Sequence, residues 1–213
     1  MDDRLNDAAK IIEEVMAAPD HSIPETVLGG PKCVLVIPSE KKAAFGVGAQ
    51  YGQGVATCRT DHGWSAPAFV KLGGVSFGFQ IGGQATDVVL LGMNDRSVQD
   101  ILHSKVKLGA DAAVAAGPVG RNAQAATDIL LNAEFLAYSR SKGLFAGIDL
   151  SGDVLEANND DLRAEYGDEV RNDAVLHGAV QPKPNAEHFV HTVAKYFVTA
   201  KNWKTETPPK DPS

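Results

Sequence analysis

This 213-residue sequence is poor in the signatures that most often declare a function. No apolar run approaches the roughly 18 residues that a membrane-spanning helix needs. No G-x-x-x-x-G-K-[ST] loop is present to cradle a phosphate. The stretch Gly46-Val47-Gly48-Ala49-Gln50-Tyr51-Gly52 misses the dinucleotide fingerprint by one residue in its last gap. No cofactor is therefore expected. Only two cysteines occur, Cys33 and Cys58, and neither has a second Cys or a His at metal-ligand spacing, which excludes a zinc site. Among the histidines only His188 and His191 share a helical spacing, and they lack the carboxylate of a metalloprotease motif. Aromatic residues are 7% of the chain against 21 glycines, a balance that favours turns and bulges over long helical bundles. The opening Met1-Asp2-Asp3-Arg4 is acidic and leads into an amphipathic stretch, so no secretory signal is read there.

What is present is ordinary globular material. The chain is 44% hydrophobic and 22% charged, enough for one domain with a real core. A net charge of −7 argues against nucleic acid as the partner, but that charge is uneven. Residues 1–30 carry two basic side chains against seven acidic, and residues 151–213 carry seven against eleven. Residues 31–150 carry eleven basic against nine acidic. A mildly basic middle between acidic ends leaves room for a cationic patch.

Apolar spacings of three and four predict an amphipathic helix over 5–18, with Leu5, Ala8, Ala9, Ile12, Val15 and Met16 on one face. Ile23–Leu28 predicts a further helical turn, and Val34–Ile37 a strand stopped by Pro38. Phe45–Gln50 with Gly54–Arg59, and Ala68–Leu72 with Val75–Gly82 about Gly73-Gly74, predict two hairpins. Thr86–Met93 is a strand, and Asn94-Asp95 caps a helix running to about His103. Ala110–Ala116 is a small-residue strand, 128–138 fits both periods, and Tyr138–Leu150 is a third hairpin about Lys142-Gly143. After Gly152 the chain turns helical over 160–166, 168–176 and 186–200, and Thr205–Ser213 is expected to be disordered. Strands segregated from helices define α+β: a curved antiparallel, Gly-rich sheet or partly closed barrel flanked by N- and C-terminal helices. The expected organisation is a single domain over 1–204, with a β-rich core at about 32–152 and C-terminal helices at about 160–200.

Few motifs survive comparison with a plain structural role. Gly74-Val75-Ser76-Phe77-Gly78 matches G-x-S-x-G, but a nucleophile elbow needs a helix after the serine, and Phe79-Gln80-Ile81-Gly82-Gly83 is extended in character. A hydrolase of Ser76 with Asp87 or Asp149 and His177 is therefore a remote alternative, and the chain is read as a non-enzyme. Asp149, Asp153, Asn158, Asn159, Asp160 and Asp161 do not have EF-hand spacing and suit a solvated helix entry. Cys33 and Cys58 are open between two buried thiols and a disulfide. Two clusters stand apart. Gly109-Ala110-Asp111 through Ala116-Gly117-Pro118-Val119-Gly120-Arg121 joins a small-residue strand to a turn ending in arginine. Tyr138-Ser139-Arg140-Ser141-Lys142-Gly143-Leu144-Phe145 sets two cations beside a Leu-Phe pair, with Lys105 and Lys107 able to join them. Cations with apolar residues suit an anionic lipid head group and the interface beneath it.

Those clusters, together with Gly63-Trp64-Ser65-Ala66-Pro67, Gly78-Phe79-Gln80-Ile81-Gly82, Asp87-Val88-Val89-Leu90, Leu108-Gly109-Ala110-Asp111 and Glu165-Tyr166-Gly167, resemble the SYLF domain. This is a family of lipid-binding, actin-patch-associated proteins with many bacterial members. The resemblance runs from Leu5 to about Gly167. It implies a non-enzymatic module for anionic phospholipid, phosphatidic acid or phosphoinositide-like, with actin binding in some eukaryotic relatives. Lys105, Lys107, Arg121, Arg140 and Lys142 would contact head groups, and Trp64, Leu144 and Phe145 would dip into the interface. Family lipid binding is linked to the opening amphipathic segment. Here that segment, Asp2–Met16, is acidic on its polar face, which opposes insertion into an anionic surface. The features look like the bacterial, exported branch. That implies a periplasmic or secreted, membrane-associated protein with its signal peptide missing from this chain, a cytoplasmic one being the alternative. In an exported setting Cys33 and Cys58 become a disulfide. A protein-interaction or structural role with an unknown protein partner is the competing function.

Overall fold

A computed structural model describes residues 1–18, 23–45, 47–76, 84–102, 105–120, 132–141 and 144–198; for 39–50, 75–76 and 84–85 it describes the backbone alone. The expected tail at 205–213 and the segment 121–131 lie outside these residues.

The N-terminal helix α1 (Asp2–Ala17) forms on the predicted stripe, burying Leu5, Ala8, Ala9, Ile11, Ile12 and Val15. The short α2 (Glu25–Leu28) follows. Strands β1 (Cys33–Phe45), β2 (Val47–Thr60), β3 (Gly63–Trp64), β4 (Ala68–Ser76) and β5 (Gln84–Gly92) come next, then α3 (Asp95–Leu102). Asn94 caps α3, its Oδ1 accepting from the Ser97 amide at 3.0 Å. Then come β6 (Lys105–Lys107), β7 (Val114–Ala116), β8 (Phe135–Ser141), β9 (Leu144–Gly147) and β10 (Val154–Ala157). The chain closes with α4 (Asn159–Tyr166), α5 (Asn172–Leu176), a 3-10 turn at Pro184–Ala186 and α6 (Glu187–Tyr196).

These strands form one curled, half-barrel sheet in the order β6-β10-β4-β2-β1-β5-β8-β7, with β3 beside β2 and β9 beside β8. All pairs are antiparallel except β7 with β8. The fold is α+β, as expected. Helix α1 packs on β1, β2 and α6, covering one face of the sheet. Because β1 is covered on both faces, Cys33-Val34-Leu35-Val36-Ile37 is a continuous apolar run with every side chain fully buried. Cys33 and Cys58 are directly opposite across β1 and β2 and are joined as a disulfide.

Three readings of the strands need correction. Pro38 does not end β1. The β1 ladders to β2 and β5 both shift register between about 36 and 41, so the missing proline N–H falls in a bulge where no ladder bond is lost. The two predicted hairpins turn elsewhere. Phe45 pairs with Val47, so the glycines at 52 and 54 lie inside β2, and Gly73-Gly74 lies inside β4 opposite Tyr51 and Gln50. At Gly54 a Cβ would sit 2.4 Å from the Val36 carbonyl oxygen; this glycine permits the bulged β1 to cross closely. Finally, β10 lies in a stretch read as the onset of helix. Its four residues bridge β4 to β6, and Asn158 behind it caps α4 by accepting from the Asp161 amide.

Candidate functional site at the hairpin end of the sheet

Antiparallel pairing gives the sheet two distinct ends. One carries the disulfide, where β1 begins and β2 finishes. At the other, β1 meets β2 in the Phe45–Val47 pair, β4 finishes and β5 begins. Following the register outward from this hairpin end places the sequence-distant candidates. Lys107 pairs with Val154, Val154 with Gly73, Gly73 with Tyr51, and Tyr51 with Lys41. On the other side Asp87 pairs with Arg140, and Ser141 with Leu144, both toward the same end. Strand β7 also runs toward it from its pairing with Phe135–Ala137.

The structure thus places Lys107, Arg140 and Leu144 toward the hairpin end and Lys105 level with the middle of β2, but on opposite sides of the sheet: the lysines are on the edge strand β6, and Arg140 and Leu144 are on β8 and β9 near the other edge. Lys105 and Lys107 flank the buried Val106 on an edge strand and are exposed. Neither ammonium forms an ion pair among the described residues. Leu144 is 73% exposed, more than any other large apolar side chain among them. Arg121 and Lys142 lie outside the described residues.

Other candidates have different roles. Arg140 is enclosed by carboxylates: its guanidinium pairs with Asp87 at 2.9 Å and with Glu14 of α1. Partial burial holds its pKa below the usual arginine value, and its charge serves to fasten α1 to β8. Phe145 turns into the core, 6% exposed, with its ring stacked on Tyr138 at 5.2 Å between centroids. Burial without a hydrogen-bond partner pushes the Tyr138 hydroxyl well above its ordinary pKa. Gly117 crosses this pair so closely that a Cβ would lie 2.0 Å from the Tyr138 ring. Trp64 stands at the disulfide end, edge-on to Phe197 at 6.3 Å and under the Arg59 guanidinium at 4.5 Å. It does not join the cations.

The hydrolase alternative fails on geometry. Ser76 is the extended last residue of β4, paired with Gly48, while His177 precedes Gly178, which packs on Thr60 at the opposite end of β2. Those positions are separated by up to about 40 Å of strand. Asp87 is bonded to Arg140, and Asp149 accepts from the Ser151 hydroxyl and amide, which lower its pKa. An open cleft of about 660 Å³ lies among α3, β10, α4 and α5. Its arginines are matched by neighbouring acids, Arg163 by Asp160 and Arg171 by Asp173, so it offers no net cation.

Two features of the hairpin end escaped the sequence reading. Tyr51 is half exposed in the same cross-strand row as Lys107, and Lys71 stands in register with Glu156, whose other neighbour is Lys105. A cross-strand row leaves no mark in linear sequence. A signal was available nonetheless, since residues 41–60 and 62–86 contain no acidic residue.

The chain belongs to the Ysc84 (SYLF) family, described as Las17-binding protein actin regulator, whose model matches residues 73–196. It is 34% identical over 197 residues to the SH3 domain-containing YSC84-like protein 1 of Homo sapiens, covering 89% of this chain and 57% of that protein. The Xenopus laevis protein of the same name is 35% identical over 181 residues, 81% of this chain and 54% of the relative. Protein YSC84 of Saccharomyces cerevisiae is 33% identical over 172 residues, 79% of this chain and 36% of the relative. The chain therefore spans about a third to a little over half the length of these relatives. Their names are those of regulators and SH3 domain-containing proteins, not of enzymes. Among the described residues no helix is long and apolar enough to cross a membrane.

Proposed function

We propose that this chain is a non-enzymatic module that binds anionic phospholipid peripherally through the hairpin end of its sheet. One observation supports this above others: Lys105 and Lys107 are exposed cations side by side on the edge strand β6, while Leu144, on β9 near the opposite edge of the sheet, is an exposed apolar side chain. Each cation close to an anionic surface contributes about 1 kcal/mol and is screened by salt. Neutral and anionic vesicles, doped with phosphatidic acid, phosphatidylglycerol, cardiolipin or phosphoinositide, give the test by co-sedimentation at low and physiological salt. Binding is expected only to the anionic vesicles, weaker at higher salt and weaker again in Lys105→Glu/Lys107→Glu. Salt-insensitive binding, or a double variant that binds like the parent, overturns this assignment of residues.

A second reading comes from the family description, in which Las17 and actin are the named partners. On that reading the same cations meet an acidic protein surface, and filament co-sedimentation without lipid is the supporting result. Location separates the two. A Cys33–Cys58 disulfide fits an oxidising compartment at the cell envelope, periplasmic or secreted, whereas an actin role needs the cytoplasm. Thiol trapping of freshly lysed cells decides between them, because a fully reduced pair excludes the envelope assignment.

A further inference from the structure

The open cleft among α3, β10, α4 and α5 has no part in the lipid reading. Its volume of about 660 Å³ falls within the roughly 300–1,000 Å³ of ligand sites. Gly167, at a φ of 97°, ends α4. The Val170 amide then donates back to the Gly167 carbonyl at 3.3 Å, and this turn sets α5 apart from α4. Leu102, Ala157, Leu162 and Val170 supply an apolar lining, Leu162 buried and the others half-buried.

The polar part of the lining is left with acceptors. Asn172 Nδ2 donates to the Ile101 carbonyl at 3.4 Å. Its Oδ1 is buried and has no hydrogen-bond partner among the described residues. His177 Nδ1 stands 2.9 Å from the Asp173 carbonyl. A carbonyl only accepts, so Nδ1 holds the proton and Nε2 of the neutral ring is left to accept. Arg163 and Arg171 are engaged by Asp160 and Asp173 at 2.9 and 3.2 Å. Asp168, also in the lining, forms no ion pair with a described residue, and neither does its neighbour Glu169.

Charge points the same way. Residues 156–173 contain seven acidic side chains and two basic ones. Other elements bring Arg4 to Asp161, Lys71 to Asp160 and Lys183 to Glu165, and Lys105 stands in register with Glu156. Asp168 and Glu169 keep the balance negative. A buried acceptor, an accepting imidazole and an unmatched carboxylate beside apolar groups suit a lysine or arginine, whose methylene stem packs while its head donates. Because the cleft is open, a small molecule would keep much of its surface in water. A side chain of a longer segment can enter while its main chain stays outside, where the exposed Asn159 carboxamide can both donate to it and accept from it.

We propose that this cleft is a docking site for a basic peptide segment of a partner protein. A lysine or arginine flanked by aliphatic residues enters it, the stem against Leu102, Leu162 and Val170 and the cation among Asp168, Asn172 Oδ1 and His177 Nε2. The site is independent of the lipid reading.

The test selects randomised short peptides on the full chain and on Asp168→Lys, an exposed substitution whose folding is checked by its thermal transition. Selected peptides are expected to share a lysine or arginine beside aliphatic residues and to bind the parent at least about tenfold more tightly than Asp168→Lys. In ¹⁵N and methyl spectra they should shift the Asn172 side-chain amide and the methyls of Leu162 and Val170. Peptides that bind Asp168→Lys like the parent, that carry no cation, or that shift other residues overturn the proposal. So does a selection that enriches nothing over the starting library. Spermidine is the last arm: if it produces the same shifts at the same concentrations as the peptides, the occupant is a free polyamine and the peptide assignment falls.

Discussion

The two ends of the central sheet are built on opposite plans. At the disulfide end the buried side chains are tied into a web of contacts. Cys33 is bonded to Cys58, the Arg59 amide reaches the Lys32 carbonyl, and its guanidinium donates to the carbonyls of Pro31 and Phe197 while lying over Trp64. Thr57 and Ser65 complete a buried hydroxyl network beside them. Burial lowers the Arg59 pKa, and the carbonyl dipoles around it keep the cation satisfied without a carboxylate. At the hairpin end β2 and β4 are punctuated by Gly48, Gly52, Gly54, Gly73 and Gly74, and the described side chains there include the half-exposed Tyr51 and the exposed Lys105, Lys107 and Leu144. Among the described side chains, the exposed cations thus lie away from the disulfide and its hydrogen-bond network.

Breaking the disulfide end should produce the largest effects, all on stability. Phe197→Ala removes a fully buried ring from against Trp64 and is expected to cost about 3–5 kcal/mol, read from urea unfolding. Replacing both cysteines by alanine reopens a loop of 25 positions, worth about 3–4 kcal/mol in the chain-entropy model. At roughly 2–4 °C per kcal/mol the thermal midpoint should fall by about 10 °C. Neither change should alter vesicle binding by the protein that remains folded. A loss of affinity at full folding would mean that the two ends are coupled.

Arg140 sharpens the contrast because it lies toward the hairpin end yet belongs to the structural plan. Its partners Glu14 and Asp87 come from α1 and β5, so Arg140→Met removes the cation that links two carboxylates in a half-buried site. The expected cost is about 1–3 kcal/mol of stability, with the salt dependence of vesicle binding unchanged. A smaller salt dependence with stability intact would return Arg140 to the lipid-contacting set.

The sequence showed the elements whose signal is local. The stripe of α1, the Asn94 cap and the apolar run Val34–Ile37 all depend on residues within a turn or two of each other. It hid what depends on partners. Pro38 reads as a stop until a bulge is seen to coincide with it, and Gly73-Gly74 reads as a turn until Tyr51 and Gln50 are seen opposite. Strand β10, four residues long, has no periodicity to detect and exists because β4 and β6 accept it on either side. The candidate site divides the same way. Charge pattern was enough to select Lys105, Lys107 and Leu144. The stacking of Phe145 on Tyr138 and the capture of Trp64 by Phe197 follow from tertiary contacts alone.

The smallest predicted effect discriminates best. Leu144 touches no core, being 73% exposed at the start of β9, so Leu144→Ala should leave stability within about 0.5 kcal/mol. If Leu144 enters an interface, truncation removes apolar area whose partial burial is worth about 1 kcal/mol. Vesicle affinity should then fall roughly fivefold. This loss should persist at high salt, where the contribution of Lys105 and Lys107 is screened away. The two kinds of contact are thus separable by ionic strength alone. A Leu144→Ala variant that matches the parent at every salt concentration would confine membrane contact to the lysines, and would leave this leucine as no more than an exposed residue at the start of β9.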